Sequence, residues 1–284
     1  MGERKYYLDW LRIVAFFLLI LYHVGMLYVT WGYNLKSERI FPDLEYAMNA
    51  VNPWRLVLLF FIAGVASRFL LARLSAGGFA KDRVRRLLPV ILLGMLVINP
   101  PQVYVEMLGK GLFEGSYLDF WFGPYLRNGY APFRMTPTWD HLWFLVYLLA
   151  YALALAAIFA FRKRAAPKEI GLDWLVLLPG VWLALTNVLV FEVKPVTHAF
   201  VDDWANHLRW IGIYAAGVTC AAQPRFWELL RARRRSFLLA GLVLLALHFA
   251  SLLADFDAWD ATIYSVLSGA YGWIVVLVLA GYAA

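Results

Sequence analysis

The sequence predicts an all-α fold, a polytopic transmembrane helical bundle with about eight spans in one membrane domain covering residues 1–284. Three observations carry that expectation. Of the 284 residues, 63% are hydrophobic and 16% charged, with a mean hydropathy of +0.65, whereas soluble domains carry about 45–50% apolar and about 25% charged residues. The apolar residues lie in runs of roughly 20, the length that crosses a hydrocarbon core as a helix. The segments between the runs alternate in charge.

The runs fall at about 8–30, 52–72, 87–106, 140–161, 172–192, 207–222, 236–254 and 262–282. The first is too long for a signal-peptide core and no Ala-x-Ala site follows it, so it reads as a retained span. Sixteen of the 26 basic residues occupy one set of alternate connections: Arg4 and Lys5; Arg73, Lys81, Arg83, Arg85 and Arg86; Arg162, Lys163, Arg164 and Lys168; Arg225, Arg231, Arg233, Arg234 and Arg235. The other set has Lys36, Arg39, Lys110, Arg127, Arg134, Lys194 and Arg209 mixed with most of the acids, and Asp255, Asp257 and Asp260 with no basic residue. The positive-inside rule then places the N-terminus in the cytoplasm. Arg12, Arg55 and Arg68 fall within runs. The charge of +7 is thereby explained by topology, and no nucleic-acid partner is expected; the lipid bilayer is the partner the composition implies. One cysteine, Cys220, rules out an intrachain disulfide. The last run stops at Gly281-Tyr-Ala-Ala284 without a basic anchor, so further spans are expected beyond it.

Ionisable residues inside spans are costly and mark functional positions. Arg12 and His23 are eleven positions apart in the first span, within roughly 20° of three full turns, so they share one face about 16 Å apart along the axis. His23 sits toward the outer leaflet, where it either hydrogen-bonds between packed helices or acts as a proton relay or base. Arg12 lies about a turn inside the cytoplasmic boundary, as a snorkelling anchor or an anion ligand, and Asp9 three residues earlier can pair with it. Arg68, on a span running the other way, approaches the same boundary. With Arg83, Arg85 and Arg86 these residues make a basic mouth suited to anions, although that cluster also serves topology. Asn52, Trp54 and Arg55 at the outer end of the second span, and Trp139, Asp140 and His141 opening the fourth, can meet His23, or Asp140 and His141 can simply cap their helix. Residues 107–139 form a long aromatic loop, either a carbohydrate-facing surface or an interfacial segment. His198, Asp202, Asp203 and His207 have metal-like spacing but no closed ligand set, and no metal is expected. His248 reads as a packed histidine.

These residues resemble membrane acyltransferase family 3. Arg12, ten residues and His23 are similar to its first-helix signature. Phe60-Phe-Ile-Ala-Gly64 resembles its second-span element, Arg83-Val-Arg-Arg-Leu-Leu-Pro89 its basic entry to the third span, and His141-Leu-Trp-Phe-Leu145 its fourth-span motif. The nearest likeness is to the branch containing glucan succinyltransferases of the bacterial periplasm. The resemblance implies an O-acyltransferase in the bacterial inner membrane. It implies no tightly bound cofactor, cytoplasmic acyl-CoA as co-substrate and a periplasmic or cell-surface glycan as acceptor. His23 is then the catalytic base. Arg12, Arg68, Arg83, Arg85 and Arg86 hold the acyl donor, while Asp9, Asn52, Trp54, Arg55, Trp139, Asp140 and His141 support the site or the acceptor. Family members have ten or more spans, which fits a chain shortened at its C-terminus. The competing reading is a proton-coupled exporter with His23 as relay.

Overall fold

The structure, a computed structural model, describes residues 6–129, 135–161, 169–194, 196–253 and 259–283. Arg4, Lys5, Tyr130, Phe133, Arg134, the basic residues from Arg162 to Lys168, Asp255 and Asp257 lie outside them. The described residues are helices and turns, with no strand among them. The helices are α1 (Tyr6–Gly25), α2 (Leu44–Leu71), α3 (Ala76–Leu93), α4 (Asn99–Gly109), α5 (Tyr117–Phe120), α6 (Trp143–Phe161), α7 (Leu172–Val188), α8 (Trp204–Cys220), α9 (Pro224–Ala232), α10 (Arg234–Leu253) and α11 (Trp259–Ala283). A π turn at Gly94–Ile98 joins α3 to α4, and a second, Leu189–Val193, extends α7. Seven of these helical stretches are long and apolar enough to cross a membrane, which makes this a multi-pass membrane protein. The remaining expected span, the sixth in order, is α8, which has 17 residues, about 25 Å.

Three boundaries differ from expectation for physical reasons. α1 stops at Gly25 rather than near 30, and residues 26–43 turn back on themselves: Lys36 Nζ donates to the carbonyls of Met26 (2.9 Å) and Val29 (2.5 Å), and Phe41 N to Tyr28 O at 2.7 Å. α2 starts at Leu44, two turns early. α3 starts at Ala76, capped by Ser75, whose hydroxyl accepts from Gly78 N at 3.1 Å. Arg83, Arg85 and Arg86 are therefore helical residues, not members of a loop. Arg209, expected in a connection, lies inside α8.

α2 is the central helix and packs on α1, α8 and α11. Phe60, Phe61, Ile62 and Val65 are at most 1% exposed, so the apolar element noticed in the sequence is the core of the bundle. Phe60 stacks on Trp210 of α8 with ring centroids 4.8 Å apart. α2 and α8 cross at two glycines. A Cβ on Gly64 would lie 2.1 Å from Tyr214 O, and one on Gly217 would lie 2.1 Å from Phe61 O. In lipid no hydrophobic force draws helices together, so backbone approach through small residues carries much of the association. Replacing Gly64 by Ala should lower stability by about 1–3 kcal/mol, the cost of overpacking a fixed contact. The equivalent change at Gly32, where a Cβ meets nothing within 4 Å, should leave it unchanged. Thermal unfolding of both variants in detergent checks this.

Candidate active site

Arg12, Phe16, Leu19 and His23 recur at helical spacing and form one stripe along α1. Running the opposite way, α6 and its leading 3₁₀ turn, Asp140–Leu142, present His141, Phe144, Leu145, Leu148 and Ala152. The stripes meet across a seam. The rings of His23 and His141 are 4.8 Å apart, edge to face, and those of Phe16 and Phe144 are 5.9 Å apart.

At one end of the seam the residues converge on His23. Its Nδ1 lies 2.7 Å from Leu19 O, one turn back on the same helix. That carbonyl can only accept, so Nδ1 carries the proton and Nε2 keeps a lone pair. His141 Nε2 lies 3.0 Å from the Tyr33 hydroxyl, 3.1 Å from Gln102 Nε2 and 3.8 Å from Asp140 Oδ2. Burial, then the Asp140 charge, pushes the Tyr33 hydroxyl up to about 12, so at neutral pH Tyr33 keeps its proton to donate. Asn34 and Gln102 each donate to Asp140 Oδ2 at 3.3 Å. Asp140 has φ +42°, a left-handed conformation that Asp tolerates better than most residues. It is steadied by a bond from its own N–H to Thr138 Oγ1 at 3.1 Å.

Sequence reasoning missed Tyr33, Asn34 and Gln102. Gln102 reaches the site because of the π turn between α3 and α4, a distortion that recurs at functional sites. A Cβ at Gly94, where that turn begins, would sit 1.8 Å from Leu142 Cδ1, so only glycine allows this approach. The polar pair Asn99 and Gln102 inside an otherwise apolar run was the available signal; Asn99 Nδ2 donates to Thr138 O at 2.8 Å.

Arg55, only 8% exposed, stacks its guanidinium 3.4 Å over the Tyr22 ring. Its Nη1 donates to both the carbonyl (3.2 Å) and the side-chain oxygen of Asn52. Trp54 and Trp139 do not join this group. Trp54 Nε1 donates to Ala50 O at 2.8 Å, and Trp139 Nε1 to His198 O at 2.9 Å.

At the other end a cavity of about 260 Å³ opens between α1, α2, α3, α6 and α8, lined by Arg12, Arg83 and Arg86 with Ser67 and Tyr214 and floored by Phe16 and Phe144. Asp82 accepts from Arg83 (2.5 Å) and Arg86 (2.9 Å), fixing both guanidiniums. Asp9 lies within electrostatic reach of Arg12. Arg68 and Arg85 stand apart from the cavity: Arg68 lies 5.4 Å over the Phe159 ring, and Arg85 is exposed.

A family model described as "Acyltransferase domain" (Acyl_transf_3) matches residues 5–283. The chain belongs to the acyltransferase 3 family. Among curated proteins it is 26% identical over 206 residues to "Glucans biosynthesis protein C" of Salmonella paratyphi B, and 27% identical over the same length to the protein of that name in Salmonella typhi. Each match covers 68% of this chain and 51% of the relative, so the chain spans about half the length of these relatives. No solved structure matches.

In this family member the aromatic loop after α4 is not an open aromatic surface. Phe120 and Tyr125 are fully buried with Val103 and Met107 in a small core of their own, flanked by Tyr104, Phe113, Tyr117 and Trp121. The His198–His207 segment is organised by one carboxylate. Asp203 accepts from Tyr147 Oη (2.6 Å), Asn206 Nδ2 (2.8 Å) and the backbone N–H groups of Thr197 and His198 (both 3.1 Å). Burial works to raise its pKa, but those bonds outweigh burial and hold the carboxyl below the usual carboxylate range. His207 is occupied by Tyr151 Oη (2.9 Å) and Phe200 O (2.7 Å). Among the described residues no group of three or more metal-ligating side chains converges. His248 is buried and stacks on Tyr271 at 5.6 Å.

Since the folded pKa of Asp203 is depressed, its contribution to stability is complete above about pH 4, the unfolded carboxyl value, and is lost as pH falls through the folded value. Asp203→Ala should lower stability by about 1–3 kcal/mol, because buried donors lose their acceptor. Thermal unfolding at neutral pH checks the loss, which should shrink on acidification.

Proposed function

We propose that this chain carries an O-acyltransferase site that takes an acyl group from acyl-CoA on the cytoplasmic side and delivers it to a hydroxyl of an extracytoplasmic glycan. The N-terminus lies in the cytoplasm of a bacterial inner membrane. The observation that carries this reading is the seam itself: an arginine-lined cavity and a histidine with a free ring nitrogen stand on the same stripe of α1, roughly 16 Å apart by helical rise. The name of the curated relatives supports a glucan as the acceptor class.

Arg12, Arg83 and Arg86 pair with the phosphates of CoA, for which planar guanidiniums suit bidentate contact. The pantetheine arm runs along the seam between Phe16 and Phe144, which part to admit it. His23 Nε2 takes the proton of the acceptor hydroxyl as the oxygen attacks the thioester carbonyl. The tetrahedral oxyanion then collapses, the carbon–sulfur bond breaks, and the imidazolium returns its proton to the departing thiolate. His141 packs on the His23 ring and, with Tyr33, Gln102 and Asp140, sets its orientation. Asn52 and Arg55 line the acceptor side. Arg68 and Arg85, which the sequence assigned to the donor, take no part in this scheme.

Two variants test it in isolated membranes. His23→Ala should reduce acyl transfer by about 10²–10⁴-fold, the usual yield of a positioned base, with protein level and topology unchanged. Arg12→Gln should raise KM for acyl-CoA about tenfold or more, the loss of one charged hydrogen bond of about 1.5–3 kcal/mol, with a smaller effect on kcat. Transfer near the wild-type rate in His23→Ala would overturn the scheme.

A further inference from the structure

Among the described residues, no carboxylate pairs with the buried Arg55 of α2 or Arg209 of α8. Arg55 on α2 and Arg209 on α8 lie within electrostatic reach of each other, and Arg55 within reach of His23. The Nε of each is buried and has no hydrogen-bond partner. Their compensation comes from neutral groups: aromatic side chains, among them the hydrogen-bonded Tyr22, and the backbone carbonyl and carboxamide of Asn52. Arg55 lies over Tyr22 at 3.4 Å and donates to Asn52, and Arg209 lies over Trp210 at 4.4 Å. Neither contact carries a formal negative charge.

Such an arrangement works against stability. An arginine buried within a span is costly, and a second like charge nearby adds repulsion. A buried guanidinium with its Nε left open is the geometry of a recognition site, because an oxyanion supplies both the missing acceptor and the missing charge. The helix register makes the pairing deliberate. α2 and α8 run parallel and cross at Gly64 and Gly217, which brings their first halves, and with them Arg55 and Arg209, side by side, Arg55 being the one within reach of His23.

We infer that Arg55 and Arg209 form a carboxylate-binding site on the acceptor side of His23, for a carboxylate carried by one of the two substrates. This rests on the acyl-transfer reading above, in which the donor's phosphates are held at the opposite end of α1, leaving a carboxylate as the anion that reaches His23. The carboxylate is either the free end of a dicarboxylic acyl group or that of an acidic sugar in the acceptor. Arg209 is then a specificity residue: it selects the charged substrate and does not touch the reacting atoms.

The test is acyl transfer by the full chain in phosphatidylcholine nanodiscs. Acetyl-CoA and succinyl-CoA serve as donors, and a glucose oligomer and a glucuronic-acid-containing oligomer as acceptors. Arg209→Gln should lower kcat/KM about tenfold more in the arm that supplies the carboxylate than in the acetyl-CoA and neutral-sugar arm. Loss in the succinyl arm assigns the site to the donor's acyl group, and loss in the glucuronic arm assigns it to the acceptor. Arg209→Lys, which keeps the charge and the apolar stem, should retain most of the preference and serves as the folded control. An equal fall in every arm, or no change in any, overturns the proposal. Transfer undiminished in His23→Ala would instead strike at the catalytic reading and leave the arginine arms readable.

Discussion

The bond from His23 Nδ1 to the carbonyl of Leu19, 2.7 Å away, fixes one ring nitrogen as a donor and leaves the other an acceptor. Within hydrocarbon an imidazole N–H has no water to fall back on, so leaving it unpaired would cost on the order of the bond itself or more. The helix meets that requirement from its own backbone, one turn away. The other groups at this end of the bundle are arranged around that ring. His141 packs against the ring, and three polar residues from two other segments hold His141 and its neighbour Asp140 in place. A polar network in a low-dielectric setting specifies one arrangement only when its members are satisfied, and the Tyr33, Asn34 and Gln102 contacts supply that satisfaction.

The cost of gathering such groups is met by packing elsewhere. α2 is held on α8 by glycine-to-backbone contact and on α11 by another, where a Cβ on Gly272 would lie 2.5 Å from Pro53 O. The apolar residues of α2 are among the most deeply buried in the protein. This rigid centre sets the register of α1 on one side and α8 on the other. The spacing along α1 thereby separates two different environments. Arg12 faces a basic cavity and His23 faces the polar network, with Phe16 and Phe144 closing the seam between them. On the proposed reading, a permeability barrier and a catalytic passage are different demands, and a pair of aromatic rings that part would serve both.

Much of this was legible in the residues. Runs of roughly 20 apolar residues gave the spans, because length in a bilayer is set by its thickness and not by tertiary detail. The Arg12–His23 spacing gave one face, since helical periodicity is local. His141 and Asp140 were legible as polar residues at a span boundary, although not their contacts. What stayed hidden depends on long-range packing. Gln102 is turned into the site by a π turn that a glycine permits against Leu142, a relation between residues far apart in sequence. Tyr33 arrives on a loop folded back by Lys36. Arg68 and Arg85 carry the same charge as Arg12 and Arg83, but their helix faces point to Phe159 and to the surface, and charge counting along a chain cannot separate those directions. Arg209 was within the expected limits of its span from the start; its basic character drew it into a loop that the helix does not have.

The central claim is that α1 spans the distance between a donor-binding cavity and a catalytic nitrogen. A structure of the protein in nanodiscs with a non-hydrolysable thioether analogue of acyl-CoA tests it most directly. Density for the nucleotide and its phosphates is expected against Arg12, Arg83 and Arg86, with the pantetheine arm between Phe16 and Phe144 and the thioether beside His23 Nε2. Nucleotide density at the opposite end of the bundle, or an arm that leaves the α1–α6 seam, would contradict it.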